Sequence, residues 1–263
     1  MCGRFILVQK LETLEKRFNA IASKNLFYKP SFNIHPGANS LIIASDNPSE
    51  IVTAVFGLTP HWAKKPMYLF NARAEGDNNK DNNPQYKGAK GIINKPSFSK
   101  AIRTQRCLVP ADAFIEGTTD EGLSKPYLVY LRNKERPFSF AGIWSDWENP
   151  NTKQIIRSFS IITTVANQLL QKIPHHRSPV ILTKSQEKTW INVSIPLNTI
   201  TDMLKPFGSN LMNAYPITSK IKNPRNNNPE LIEPIGEPIL PENSIDVKDE
   251  VKSTGFGRKN RHF

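Results

Sequence analysis

The chain has 263 residues, 38% of them hydrophobic, and carries 35 Lys and Arg against 23 Asp and Glu, a formal net charge of +12. That length suffices for one large domain with a core, and the charge favours polyanionic partners, nucleic acid first. Two cysteines, Cys2 and Cys107, argue against a disulfide scaffold or a four-ligand structural zinc site.

No run approaches the roughly 18 apolar residues of a membrane span. Arg4, Lys10 and Glu12 interrupt any signal-peptide core. The expectation is a monomeric protein of the cytoplasm or nucleoid, with reduced thiols and with no membrane, metal or cofactor partner.

From the N-terminus, "KLETLEKRFNAIA" (10–22) places Leu11, Leu14, Phe18 and Ile21 at spacings of three and four, which predicts an amphipathic helix. Strand-like segments follow: "SLIIAS", "EIVTAVFGL", "RCLVPADAFIE", "KPYLVYL", "PFSFAGIW" and "IIRSFSIITTVA", each bounded by Pro, Asn, Gly or Asp. "ANQLLQKI", "SQEKTWINV" and "LNTITDMLKPF" predict short helices. Many strands, few helices and no βαβ rhythm predict an α+β fold, mainly antiparallel and barrel-like. One domain is expected over 1–240. The Asn-rich 76–95 stretch reads as a long polar surface loop, and the charged residues from 241 onward as a mobile tail.

The chain begins "MCGRF". Removal of Met1 would leave a free α-amine and a thiol on Cys2, with ordinary pKa values of about 7.7–8.0 and about 8.5. Such a residue can attack an acyl carbon through sulfur, or condense through nitrogen with an aldehyde and close to a thiazolidine.

Three further stretches offer partners. "LFNARAEG" sets Asn71, Arg73 and Glu75 at alternate positions, on one face if the segment is extended; Asn beside Arg suits a polar group next to a phosphate. "RCLVPADAFIEG" carries an apolar run to Glu116, where desolvation would raise a carboxyl towards the range of a general base. Asp112, within that run, reads as a turn cap. "IPHHRSPVIL" puts His175 and His176 against Arg177, two proton carriers beside a phosphate-binding cation.

These motifs, in this order, with "YPIT" and "KNPRNNNPELIEP" after them, resemble the SRAP family, the SOS response-associated peptidase-like and abasic-site processing proteins. The resemblance runs from Met1 to about Pro234. It implies covalent crosslinking to abasic sites in single-stranded DNA: the Cys2 amine attacks the C1′ aldehyde and the thiol closes a thiazolidine. It further implies that Asn71 holds amine and sugar in register, that Glu116 shuttles protons, and that His175 assists ring opening. Arg4, Arg73 and Arg177 would grip phosphates, and Trp62 would form a wall for DNA. The family usually has Trp after the glutamate, where this chain has Gly117.

Three rival readings differ in their chemistry. A glutamine amidotransferase also begins Met-Cys-Gly but needs an Asn-Gly motif, and no Asn-Gly dipeptide occurs. A cysteine-type peptidase, at least one removing Met1, would use Cys2, Glu116 and His175 for acyl transfer. A non-covalent single-strand binder would leave Cys2 inert.

Overall fold

The computed structural model describes residues 3–24, 26–132 and 135–242. Cys2 and the expected tail from 243 onward lie outside them. In chain order the strands are β1 (Arg4–Leu7), β2 (Ile21–Ala22), β3 (Ser31–Ile34), β4 (Asn39–Ala44), β5 (Glu50–Phe56), β6 (Asn71–Arg73) and β7 (Arg106–Ala111). They continue as β8 (Ala113–Thr118), β9 (Gly122–Leu131), β10 (Phe138–Glu148), β11 (Ile155–Val165), β12 (Arg177–Pro179), β13 (Ile181–Leu182) and β14 (Met212–Pro216). The helices are α1 (Leu11–Phe18), α2 (Ser99–Thr104), α3 (Gln168–Lys172), α4 (Lys184–Ile191) and α5 (Leu197–Asp202). The fold is α+β and mainly antiparallel, as the strand-rich sequence predicts.

Strands β11, β10, β7, β4 and β5 pair in succession, and a parallel pairing of β11 with β5 (Ser158 with Val55, Phe159 with Phe56) closes them into a barrel. Closure leaves these five strands without a free edge between them. The interior is aromatic: Phe56 stacks on Phe159 at 5.2 Å, and Phe5 meets Phe56 edge-on at 5.3 Å and Phe140 at 6.0 Å. Each fully buried ring of this kind contributes roughly 2 kcal/mol by leaving water.

The second sheet, ordered β14-β9-β8-β1-β3, holds the N-terminal strand between β8 and β3. Alternation along β1 splits its side chains, so that Phe5 and Leu7 enter the barrel core while Ile6 joins a second cluster with Ile115, Tyr215 and Ile221. Strand β1 is thus anchored on both faces.

Two expectations need correction. The predicted 10–22 helix ends at Phe18, because Asn19 takes the left-handed conformation (φ 51°) that closes helices. Ile21 and Ala22 then pair in parallel with Glu50 and Ile51 of β5, and Ile21 is 70% exposed, outside the helix stripe. "RCLVPADAFIE" forms two strands, β7 and β8, one in each sheet. The chain changes sheet at Asp112, whose buried carboxylate accepts from the Val8 amide at 2.7 Å, so the predicted cap sits at a sheet switch.

The 76–95 stretch is a loop, folded by its own polar groups. Asn79 is buried, its side chain accepts from the Asn83 amide (2.9 Å) and donates to the Asn83 carbonyl (3.1 Å), and the loop ends in a 3-10 turn, Gly91–Asn94, around buried Ile92.

Candidate active site

A cavity of about 330 Å³ opens where β1, β8 and the chain before β12 converge; Gly3, Arg4, Glu116, Gly117, His175 and His176 are among the residues lining it. Gly3 is the residue that follows Cys2 in the chain. Arg4 sits opposite Ile115 in the β1–β8 ladder, one residue from Glu116.

Glu116 lies within β8, paired with Tyr127 of β9, and only 2% of it is exposed. Burial disfavours its ionised form and pushes its carboxyl up to about 7. His175, equally enclosed, places Nε2 at 3.4 Å from Glu116 Oε2. Burial drives the imidazole pKa down to about 4, so the ring is neutral at physiological pH. Nδ1 lies 2.9 Å from the Arg177 carbonyl and 3.4 Å from the Arg177 amide, and the shorter contact, to a pure acceptor, favours the ring proton on Nδ1. The Nε2 lone pair therefore faces a carboxyl group that is half-protonated near neutrality. One proton within reach of two acceptors is an acid/base couple, able to donate and to accept in one catalytic sequence.

His176 stacks on His175 at 5.1 Å. The Thr119 hydroxyl donates to the Pro174 carbonyl at 2.7 Å, so its oxygen is left to accept from His176 Nδ1 at 3.1 Å. Burial first, then the His175 ring and the charges of Arg177 and Arg73, hold His176 down to about 4.

Arg177 does not present its guanidinium to solvent. It is 1% exposed, and Nη2 bonds Glu75 Oε2 at 2.8 Å and Thr163 Oγ1 at 3.3 Å. Its Nη2 is committed to Glu75, which the pairing holds below the ordinary carboxylate range against the opposing pull of burial. Glu75 lies past the end of β6, so only Asn71 and Arg73 share the expected strand face, half-buried on either side of buried Ala72.

Arg73 donates through Nη2 to the Asn79 carbonyl and to Asn82 Oδ1 in the 76–95 loop. Asn71 pairs in register with Ile161 of β11 and donates to the Phe70 carbonyl at 3.0 Å. Trp62 is 51% exposed on the segment between β5 and β6, near Met67 and Tyr68 in sequence, both also exposed. Asn71, Arg73 and Trp62 do not line the cavity.

Arg4 is half-buried, and Nη1 donates to Asn33 Oδ1 at 2.5 Å while Nη2 donates to the Lys222 carbonyl at 2.8 Å. Asn33, Thr119 and the stacking of His176 were not marked by the sequence as site features, since each acts through partners distant along the chain.

Gly117 has a structural reason to be glycine. A Cβ there would lie 2.0 Å from the Gly122 carbonyl oxygen, at the irregular register where β8 turns into β9. Gly122 completes the turn with φ +53°. Among the described residues no group of three or more His, Cys, Asp or Glu side chains could hold a metal ion, and no helix is long and apolar enough to cross a membrane.

The family model described as SOS response associated peptidase (SRAP) matches residues 1–224. The chain belongs to the SRAP family. Abasic site processing protein YoqW of Bacillus subtilis (strain 168) is 35% identical over 247 residues, covering 89% of this chain and 99% of that protein. Abasic site processing protein HMCES of Gallus gallus is 25% identical over 264 residues, 88% of this SRAP chain and 71% of the relative. A solved structure from Bacteroides thetaiotaomicron superposes with a TM-score of 0.73 at 28% identity, covering 89% of this chain and 99% of that one.

Proposed function

We propose that this SRAP protein processes abasic sites in single-stranded DNA by forming a thiazolidine between Cys2, once Met1 is removed, and the ring-opened sugar. The observation that carries this reading is the Glu116–His175 couple in a cavity that Gly3 also lines, one peptide unit from the aminothiol. The relatives named abasic site processing proteins support the substrate.

The chemistry balances without a co-reactant. The amine nitrogen bonds to C1′ of the aldehyde, giving a carbinolamine. Protonated Glu116 donates to the departing hydroxyl, which leaves as water, and the C=N bond of an imine forms. The Cys2 sulfur then bonds to that carbon, its proton passing through Glu116 or His175 to nitrogen. A carboxyl group near pH 7 can serve both directions of transfer. Asn71 orients the amine and sugar, Arg4 and Arg73 hold flanking phosphates, and Trp62 offers a stacking face. Arg177, locked to Glu75, holds the backbone carbonyl that fixes the His175 tautomer.

The deciding experiment is incubation of the purified protein with a single strand bearing one abasic site, followed by a denaturing gel. A heat-stable adduct that disappears in Cys2→Ala supports covalent capture. Non-covalent retention that survives Cys2→Ala, with no adduct, would leave the single-strand binder standing instead.

A further inference from the structure

The "KNPRNNNPELIEP" stretch carries no role in the chemistry above, yet it lies against the cavity. Between Asp202 and Glu230 the chain has no acidic residue and four cations, Lys205, Lys220, Lys222 and Arg225. Three of these fall on one short turn. Ile221 is fully buried in the second apolar cluster, which turns its neighbours Lys220 and Lys222 outward. Arg225 is exposed on the same turn.

Asparagines fix the backbone of that turn. Asn33, 4% exposed, donates through Nδ2 to the carbonyls of Ile221, Asn223 and Asn226 at 3.3, 3.1 and 2.9 Å. Asn226 donates back to the Lys220 carbonyl at 2.9 Å, and Asn223 Oδ1 accepts from the Arg225 amide at 3.0 Å. Asn227 Oδ1 accepts from the Phe32 amide at 2.7 Å, tying the turn to β3. The turn also meets the cavity rim. Its Lys222 carbonyl accepts from Arg4, and Lys222 Nζ reaches Ser124 Oγ at 3.0 Å, beside the cavity-lining Leu123.

We infer that Lys220, Lys222 and Arg225 form a preorganised phosphate track carrying the single strand on the β8–β9 side of the cavity. The inference rests on the functional reading above and names the path of the strand. Three cations on a backbone held by asparagine hydrogen bonds bind phosphates without having to order a loop first, and phosphate contacts set position rather than sequence.

The test is the salt dependence of binding to a labelled, undamaged single strand, followed by fluorescence anisotropy. The triple variant Lys220→Gln, Lys222→Gln, Arg225→Gln is compared with Lys16→Gln, Lys184→Gln, Lys188→Gln, an equal charge change at exposed positions of α1 and α4. Each lost phosphate contact flattens the plot of log K against log salt by about 0.7 for single strands, so the track variant should be shallower by about 2. The control should keep the wild-type slope. An unchanged slope in the track variant, or equal flattening in both, overturns the track, and circular dichroism confirms that each variant is folded. Adduct formation by wild type on abasic DNA is scored separately, so failure of the crosslinking reading is distinguishable from failure of the track.

Discussion

Replacing Glu116 with Gln should stabilise the protein at neutral and alkaline pH while removing its chemistry. Burial moves this carboxyl from its ordinary 4.5 to about 7. At about 1.4 kcal/mol per pH unit, that displacement corresponds to about 3 kcal/mol. The sign follows from where the proton sits: the folded state keeps it between 4.5 and about 7 while the unfolded state has released it. The contribution is fully present below pH 4.5 and is lost as the pH rises through 7. His175 and His176, both lowered to about 4, act oppositely, withdrawing stability as the pH falls below their ordinary 6.5. Both proteins retain the histidines, so the contribution of His176 cancels in the difference, which reports Glu116 together with its effect on the adjoining His175. Urea denaturation at intervals from pH 4.5 to 8 should show Glu116→Gln gaining about 3 kcal/mol on wild type across the window. Parallel curves would refute the claim that Glu116 is held protonated by burial.

Other substitutions probe the scaffold. Gly117→Ala forces a Cβ to 2.0 Å from the Gly122 carbonyl, and thermal denaturation should show a loss of at least about 2 kcal/mol. Glu75→Gln leaves Arg177 as an unpaired buried charge, so a cost of about 3–5 kcal/mol is expected, and Glu75→Leu with Arg177→Met should recover most of it. Asn33→Ala strips partners from Arg4 and from three carbonyls of the basic turn. A loss of roughly 3 kcal/mol and weaker single-strand binding should appear together in denaturation and anisotropy.

Much of this architecture could be read from residue patterns, where the pattern reflects a local cause. The strands were legible because β-branched and aromatic runs end at turn residues; Glu116 was legible only as a candidate, since a carboxyl closing an apolar run is more often exposed, and its burial comes from β8 being covered in the fold. Barrel closure was not legible, since the parallel pairing of β5 with β11 joins segments about a hundred residues apart. The burial of Arg177 was hidden for the same reason: its partner Glu75 is 102 positions away, and beside two histidines it reads as an exposed side chain. The end of α1 was missed because Ile21 continues the helical spacing although Asn19 has already left the helix. Asn33 carries no periodic signal, and only the folded chain brings it to Arg4 and the basic turn.

The central claim is most directly tested by the intact mass of the species formed on single-stranded abasic DNA. The account predicts a chain beginning at Cys2, joined to the strand with the loss of one water, since imine formation expels water and ring closure expels nothing. A product retaining Met1, or no joined species from a chain shown to begin at Cys2, would contradict it.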